Sequence, residues 1–318
     1  MTTVSRLRAA IFRLTCLRPV NAVLRTAIRP LRSRLPWGVV HSIPMVGDVH
    51  VDLGDEREIV LVSDGYDSLA SRMYWSGLDG FEPESLRLFL DLCKTSSTVL
   101  DVGAHIGLYA LLASADRADT TTIAFEPVAR NLRYLRGNVA RNSTPGLTVE
   151  PAAVGDHDGT IVLYIPETTR LPATASVLES TGAEIVPTEV PIVSIDSYAR
   201  IHGLESIDLI KIDVEGAESA ALRGAAGVIR EHEPAIICEI LHGIADTNAA
   251  TAVFEDTDYR FFLLTDDGLV EHESLVGDPT YFYKNYLLIS DSQVADRLRG
   301  QHLEPLVRSE DEKSSGST

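Results

Sequence analysis

The sequence predicts an α/β fold, a mostly parallel sheet covered on both faces by helices. Two observations predict it. Short apolar runs alternate with helical stretches from Thr98 onward, and the first run ends in a glycine-bearing turn. The runs are "TVLDV", "TTIAF", "LTVEPAAV", "IDLIKI", "AIICEIL", "RFFLLT" and "NYLLIS". Between them, Ile106 to Ala115, Pro127 to Arg141, Gly216 to Arg230 and about Ala249 to Thr257 carry helical spacing. In the second of these, Leu132, Leu135 and Val139 form the inward stripe, while Arg130, Arg133 and Arg136 face water. Repeated strand-helix-strand units bury both faces of a parallel sheet, which is why the runs are continuously apolar.

This core spans 82–292 and opens with a helix from Glu82 to Cys93, with Pro83 in its first turn and Leu86, Leu90 and Cys93 on one side. Before it, residues 48–81 contain "DVHVDL" and "REIVLVS" around Gly54 and Asp55, the pattern of a short hairpin. Residues 160–195 interrupt the rhythm between the third and fourth core strands. Two β-type pieces, Thr160 to Ile165 and Val190 to Ile195, flank a polar, proline-punctuated stretch there. It reads as a lid or substrate loop, or equally as a plain surface hairpin. Residues 293–318 form a C-terminal tail, solvated and partly disordered toward its end.

Charge is uneven. Residues 1–47 hold eight arginines and no acid, whereas the remaining 271 residues carry 20 basic and 46 acidic side chains, a net of −26. An acidic body argues against nucleic acid as a partner. In the basic leader, Leu7, Ile11 and Leu14 lie at helical spacing, Pro19 and Pro30 act as breaks, and no apolar run reaches spanning length. An amphipathic helix packed on the body, a peripheral contact with an anionic membrane surface, and an organelle presequence all fit this leader. Cys16, Cys93 and Cys238 are scattered, with no Cys-x-x-Cys pair, so the cytoplasm, with its reducing conditions, is the expected compartment.

The turn after the first core strand reads "VLDVGAHIG", with Asp101, Gly103 and Gly107 at the strand-to-helix junction. Ligands of open parallel sheets collect at the carboxyl ends of the strands, and glycines there let a ligand reach backbone N–H groups. A tight turn alone explains the same residues. Glu126, in "AFEP" at the end of the next strand, stands where an acid reaches a ribose hydroxyl pair, or reads as a helix N-terminal charge next to Pro127. A nicotinamide dinucleotide fits poorly, because His105 and Leu108 occupy positions where further glycines belong, and Asp101 suits an ammonium better than a phosphate.

Taken in order, "VLDVGAHIGLYALLA", "AFEP", "PAAVGDHDG", "LIKIDVEGAE" and "IICEI" resemble the FkbM-family S-adenosylmethionine-dependent methyltransferases, over roughly Glu82 to His242. The resemblance implies a class I methyltransferase Rossmann-like fold, a seven-stranded sheet of order 3-2-1-4-5-7-6 with its seventh strand antiparallel. It implies that Asp101, Gly103, Ala104, His105 and Gly107 surround the methionine part of S-adenosyl-L-methionine and that Glu126, beside Pro127, takes the ribose hydroxyls. It places the loop Ala153 to Asp156, with Val154, by the adenine, and Asp213 at the cofactor's edge. The sequence departs from the family at His105, where asparagine is frequent.

Methyl transfer from a sulfonium is an in-line displacement, and a hydroxyl acceptor on a small-molecule natural product, sugar or lipid-linked glycan must also lose a proton. Three candidates stand near the ends of the fourth and fifth strands: Asp213, Glu239 and His242. A histidine titrates near neutrality, which suits His242 to base work, although a histidine after a strand reads equally as a polar loop residue. Asp213 and Glu239 could instead hold a divalent cation such as Mg2+. Lys211 and Glu218 read as a structural charge network, and Glu215 as a helix cap or a pocket acid. Two other readings remain: a non-catalytic cofactor-binding partner protein of the same fold, and a nicotinamide-dependent oxidoreductase. Oligomeric state is not encoded in any motif.

Overall fold

The computed structural model describes residues 10–54, 56–117, 119–166 and 185–298. They divide into two units. One comprises the chain up to Pro83 with Ala140–Ser143 and part of the insertion; the other comprises most described residues from Glu84 onward.

In the first unit, residues 10–15 are helical and α1 (Arg18–Ile28), a 3-10 turn (Arg29–Arg34) and α2 (Trp37–His41) follow. The break expected at Pro19 is present, since the helical stretch over 10–15 ends and a new helix opens with Pro19. This proline lies in the first turn of α1, where its missing N–H has no intrahelical partner to lose. Pro30 likewise opens the 3-10 turn. The hairpin is β1 (Val46–Gly54) against β2 (Arg57–Asp64), antiparallel, with Val49 opposite Leu61 and Val51 opposite Ile59. These four side chains are buried, as period-2 alternation requires. Buried Asn21 ties α1 to β1: its Nδ2 donates to the Thr15 and Pro44 carbonyls at 3.0 and 2.7 Å, and its Oδ1 accepts from Val46 N–H at 3.1 Å. Next comes α3 (Ser68–Ser76), capped by Asp67, whose carboxylate accepts from Leu69 and Ala70 N–H at 3.0 and 2.7 Å.

The chain continues as α4 (Pro83–Cys93), β3 (Thr98–Val102), α5 (Leu108–Asp116), β4 (Thr121–Phe125), α6 (Ala129–Val139) and β5 (Leu147–Glu150). Then follow β6 (Ala153–Val154), β7 (Gly159–Pro166), β8 (Ile185–Val193), α7 (Ile195–His202) and β9 (Leu209–Ile212). The last part holds α8 (Glu218–Arg223), α9 (Ala226–His232), β10 (Ala235–Glu239), α10 (Thr247–Ala252), β11 (Tyr259–Thr265), β12 (Gly268–His272), β13 (Asn285–Ser290) and α11 (Asp291–Arg297).

The main sheet has the order β12-β11-β13-β10-β9-β3-β4-β5. Neighbours from β5 to β10 are parallel, and β13 is antiparallel to both β10 and β11. Counting β11 as sixth and β13 as seventh gives 3-2-1-4-5-7-6. An eighth strand, β12, lies at the edge where seven were expected, because the turn before Gly268, at φ +118°, folds the chain back along β11. Strands β3, β9, β10 and β13 are buried throughout, and Leu100, Ile210, Ile236 and Leu288 share one core cluster.

Several expected elements are shorter or divided. "LTVEPAAV" is two strands, since Pro151 has no N–H for a ladder: β5 pairs with β4 and β6 with β8. The helix expected over Gly216 to Arg230 is broken at Gly224, where a Cβ would collide with the Gly155 carbonyl, and Asp196 caps the restarted α9 through Gly227 and Val228 N–H, each at 2.8 Å. The helix expected over Ala249 to Thr257 starts earlier, because Asp246 caps it, and ends at Ala252. The strand expected to reach Ile195 stops at Val193, because Ser194 caps α7. Within the insertion, 167–184 lie outside the described residues, as does the tail beyond Leu298; its first part belongs to α11.

No disulfide joins the described cysteines, and no described helix is long and apolar enough to cross a membrane. Replacing Asp67 by Ala is expected to lower stability by about 1–2 kcal/mol in urea unfolding, because two N–H groups lose their acceptor in a buried setting.

Candidate functional site

Strands buried on both faces should be apolar, yet β3 carries Asp101, β9 carries Lys211, β10 ends in Glu239 and β13 begins with Asn285, all buried. These exceptions lie toward the carboxyl ends of the parallel strands. Asp101 and Lys211 are cross-strand partners in the register of β3 with β9. Asp101 Oδ2 accepts from Ala110 N–H at 2.9 Å, tying the strand to the first turns of α5. Burial pushes its carboxyl up to about 7, against the pull of that N–H and of the Lys211 ammonium.

Glu126, just after β4, is equally buried. Its Oε2 accepts from His105 N–H and its Oε1 from Val128 N–H, each at 2.8 Å. Burial raises this carboxyl also to about 7, opposed by those two N–H groups. The Asn131 side chain hydrogen-bonds the same carboxylate, which leaves acceptor capacity for about one further hydrogen bond.

The glycine turn itself corrects one expectation. Four of its N–H groups are already used inside the protein: Gly103 and Ala104 donate to the Phe125 carbonyl, His105 to Glu126 and Gly107 to the Ala104 carbonyl. The glycines serve packing. A Cβ on Gly103, at φ +82°, would collide with the Asp213 carbonyl, and one on Gly107, at φ +86°, with the Leu135 side chain. Removing both side chains lets β9 and α6 close on the turn. His105 takes a left-handed φ of +51°, and burial lowers its ring to about 4 despite the nearby Asp213, so the imidazole is neutral at pH 7.

Lys211 joins the acids. Its Nζ lies 3.6 Å from Asp213 Oδ2, donates to Asn285 Oδ1 and the Ile212 carbonyl at 3.3 Å each, and sits 5.2 Å from the centre of the Tyr109 ring. Glu218 Oε1 accepts from Gly216 N–H at 2.8 Å, while its Oε2 is buried with no hydrogen-bond partner, and burial raises the carboxyl. Glu215 is exposed at a left-handed φ of +58°.

Glu239 Oε1 lies 3.8 Å from Lys284 Nζ, and the Asp213 and Glu239 carboxylates approach within 4.8 Å. His242 follows β10, and its Nδ1 meets the Gly277 carbonyl at 3.0 Å. A carbonyl only accepts, so Nδ1 is the donor, and in the neutral ring the lone pair lies on Nε2. Tyr281 O–H donates to the His242 carbonyl at 2.6 Å, fixing the backbone beside the ring. A Cβ on Gly277 would collide with the His242 backbone, so that residue admits the contact.

A family model described as the methyltransferase FkbM domain matches residues 101–261, half of the chain. The chain belongs to the FkbM methyltransferase family. Among its relatives, 31-O-demethyl-FK506 methyltransferase FkbM of Streptomyces tacrolimicus is 28% identical over 174 residues, covering 43% of this chain and 65% of that protein. Methyltransferase 1 of Beauveria bassiana is 23% identical over 162 residues, covering 43% and 64%. The chain thus spans just under two thirds of these curated relatives. A solved methyltransferase FkbM of Methylobacillus flagellatus is 18% identical, with a TM-score of 0.39 over 61% of this chain and 43% of that one.

Within this FkbM-family chain, Asp101, Gly103, Ala104, His105, Gly107, Glu126, Pro127 and Asp213 gather around the β3, β4 and β9 ends. Ala153 and Val154 do not form the expected loop. They pair with Ile192 and Val193, and the Val154 side chain belongs to the core cluster. Asn285, Tyr109 and Gly277 escaped the sequence reading; a polar residue opening the apolar run "NYLLIS" was the available signal for Asn285 alone.

Asp101 binds its proton more tightly in the folded chain than in the unfolded one, where its pKa is about 4. Its stabilising contribution is therefore complete below about pH 4 and lost as pH rises toward about 7. Urea unfolding across this range is expected to show stability falling with pH, with a smaller fall in Asp101→Asn.

Proposed function

We propose that the chain is an S-adenosylmethionine-dependent O-methyltransferase of the cytoplasm, acting on a hydroxyl of a small-molecule natural product, sugar or lipid-linked glycan. The observation that carries this reading is the pair of buried carboxyls, Asp101 and Glu126, at the ends of adjacent parallel strands. The donor chemistry of the group fits them. Both carboxyls are raised by burial and lack sufficient positive charge, and a ligand bearing an ammonium, a sulfonium and two ribose hydroxyls offers charge and hydrogen-bond donors. When bound, that cofactor supplies an electrophilic methyl group on sulfur.

The protein's share is alignment and one proton. Glu126 would accept from a ribose hydroxyl, while Asp101 and Asp213 would favour the positive end. His242, with its Nδ1 proton held by Gly277, would take the acceptor's hydroxyl proton at Nε2. Lys211 and Lys284 counter the charges of Asp213 and Glu239, so the reaction is written without a divalent cation. The relative named 31-O-demethyl-FK506 methyltransferase supports an oxygen acceptor. Exposed Val276, Tyr281 and Phe282, in the segment that holds His242, support an acceptor with apolar surface.

Calorimetric titration with S-adenosylmethionine, S-adenosylhomocysteine and NAD tests the cofactor. Both adenosyl ligands are expected to bind and NAD not, with Asp101→Ala and Glu126→Ala each weakening affinity roughly tenfold or more. Binding of NAD alone, or unchanged affinity in both variants, contradicts the reading. With an acceptor found by screening, His242→Ala is expected to lower kcat by roughly 10²-fold or more at unchanged cofactor affinity. Binding without transfer to any hydroxyl acceptor points to a non-catalytic partner protein instead.

A further inference from the structure

We propose that the N-terminal segment is a docking surface for an anionic lipid bilayer. Of the sixteen large apolar side chains exposed among the described residues, seven fall between Ile11 and Val39: Ile11, Leu14, Leu17, Val23, Leu31, Trp37 and Val39. The same stretch exposes Arg13, Arg18, Arg29, Arg32 and Arg34, and no acid occurs before Asp48. Scattered exposed apolar residues need no explanation, but this concentration within an acid-free, arginine-rich segment does.

The buried Asn21 amide explains how this face stays outward. By bonding Pro44 and Val46, it commits one side of α1 to β1 and leaves Val23, which is 69% exposed, on the other side. Arg25 turns inward instead, 5.1 Å from the centre of the Tyr74 ring. Trp37, 58% exposed, is steadied by stacking on His41 and by the Arg72 guanidinium 5.6 Å from its ring, a fixed amphipathic anchor. Arginines meet anionic headgroups, and aliphatic and indole side chains enter the region beneath them. A nucleic acid would match the arginines but give the apolar side chains nothing to enter.

Flotation of the full chain with vesicles tests this. Binding is expected to an equal mixture of phosphatidylcholine and phosphatidylglycerol, to weaken as salt is added, and to be absent with phosphatidylcholine alone. Replacing Arg13, Arg18 and Arg29 together by Gln is expected to weaken partitioning roughly a hundredfold. Leu14→Ser with Val23→Ser is expected to weaken it roughly tenfold or more, at exposed positions where the circular dichroism spectrum should not change. No binding to the mixed vesicles, equal binding to both kinds, or binding untouched by the serine variant overturns the proposal. So does salt-sensitive binding to a DNA duplex that competes fully with the vesicles, or self-association through this segment that excludes them.

Discussion

Charge balance in a water-poor setting governs the strand ends of this chain. Lys211 is the one basic side chain among the buried polar residues described, and its charge acts on the buried acids Asp101 and Glu218, while Glu126 and Glu239 are buried nearby in the sheet's strand ends. An ammonium or carboxylate taken from water without a partner is strongly disfavoured, so each must be paired, hydrogen-bonded or neutralised. The chain uses all three. Lys211 sits opposite Asp101 across the β3–β9 ladder and near Asp213, backbone N–H groups meet Asp101 and Glu126, and burial lifts the carboxyls that still lack positive charge.

The fold brings these groups together because parallel strands end on the same side. Right-handed crossovers place α5 after β3 and α6 after β4, so the turns following both strands meet. Gly103 then admits the Asp213 carbonyl from β9. What remains is a rim of acids with spare acceptor capacity, the complement of a cationic ligand with hydroxyl donors. His242 is held by the loop before β13 rather than by the acids.

Much of this was readable in the sequence. The apolar runs located the parallel strands, since burial on both faces leaves a local signature, and Asp101 and Glu126 stood out as acids at run ends. The glycines were located, but not their packing: Gly103 and Gly107 make room for β9 and α6, a long-range contact that spacing cannot reveal. Val154 was misplaced for a related reason, because its pairing with β8 depends on a partner some forty residues away. The Gly277 carbonyl that sets the His242 tautomer lies 35 residues on, in a stretch with no motif. Local pattern reports burial, whereas the partner that satisfies a buried group comes from the assembled fold.

The central claim is that the positive charge reaching Asp101 and Glu126 within the protein, that of Lys211 on Asp101, is insufficient, and that a bound cofactor would add to it. Calorimetry of S-adenosylmethionine binding at a pH just below 7, in two buffers of different ionisation enthalpy, counts the protons that accompany it. If the ligand's charge draws the carboxyls down, binding releases protons, and less release accompanies it in Asp101→Asn. Binding with no proton release, or with uptake, contradicts the account.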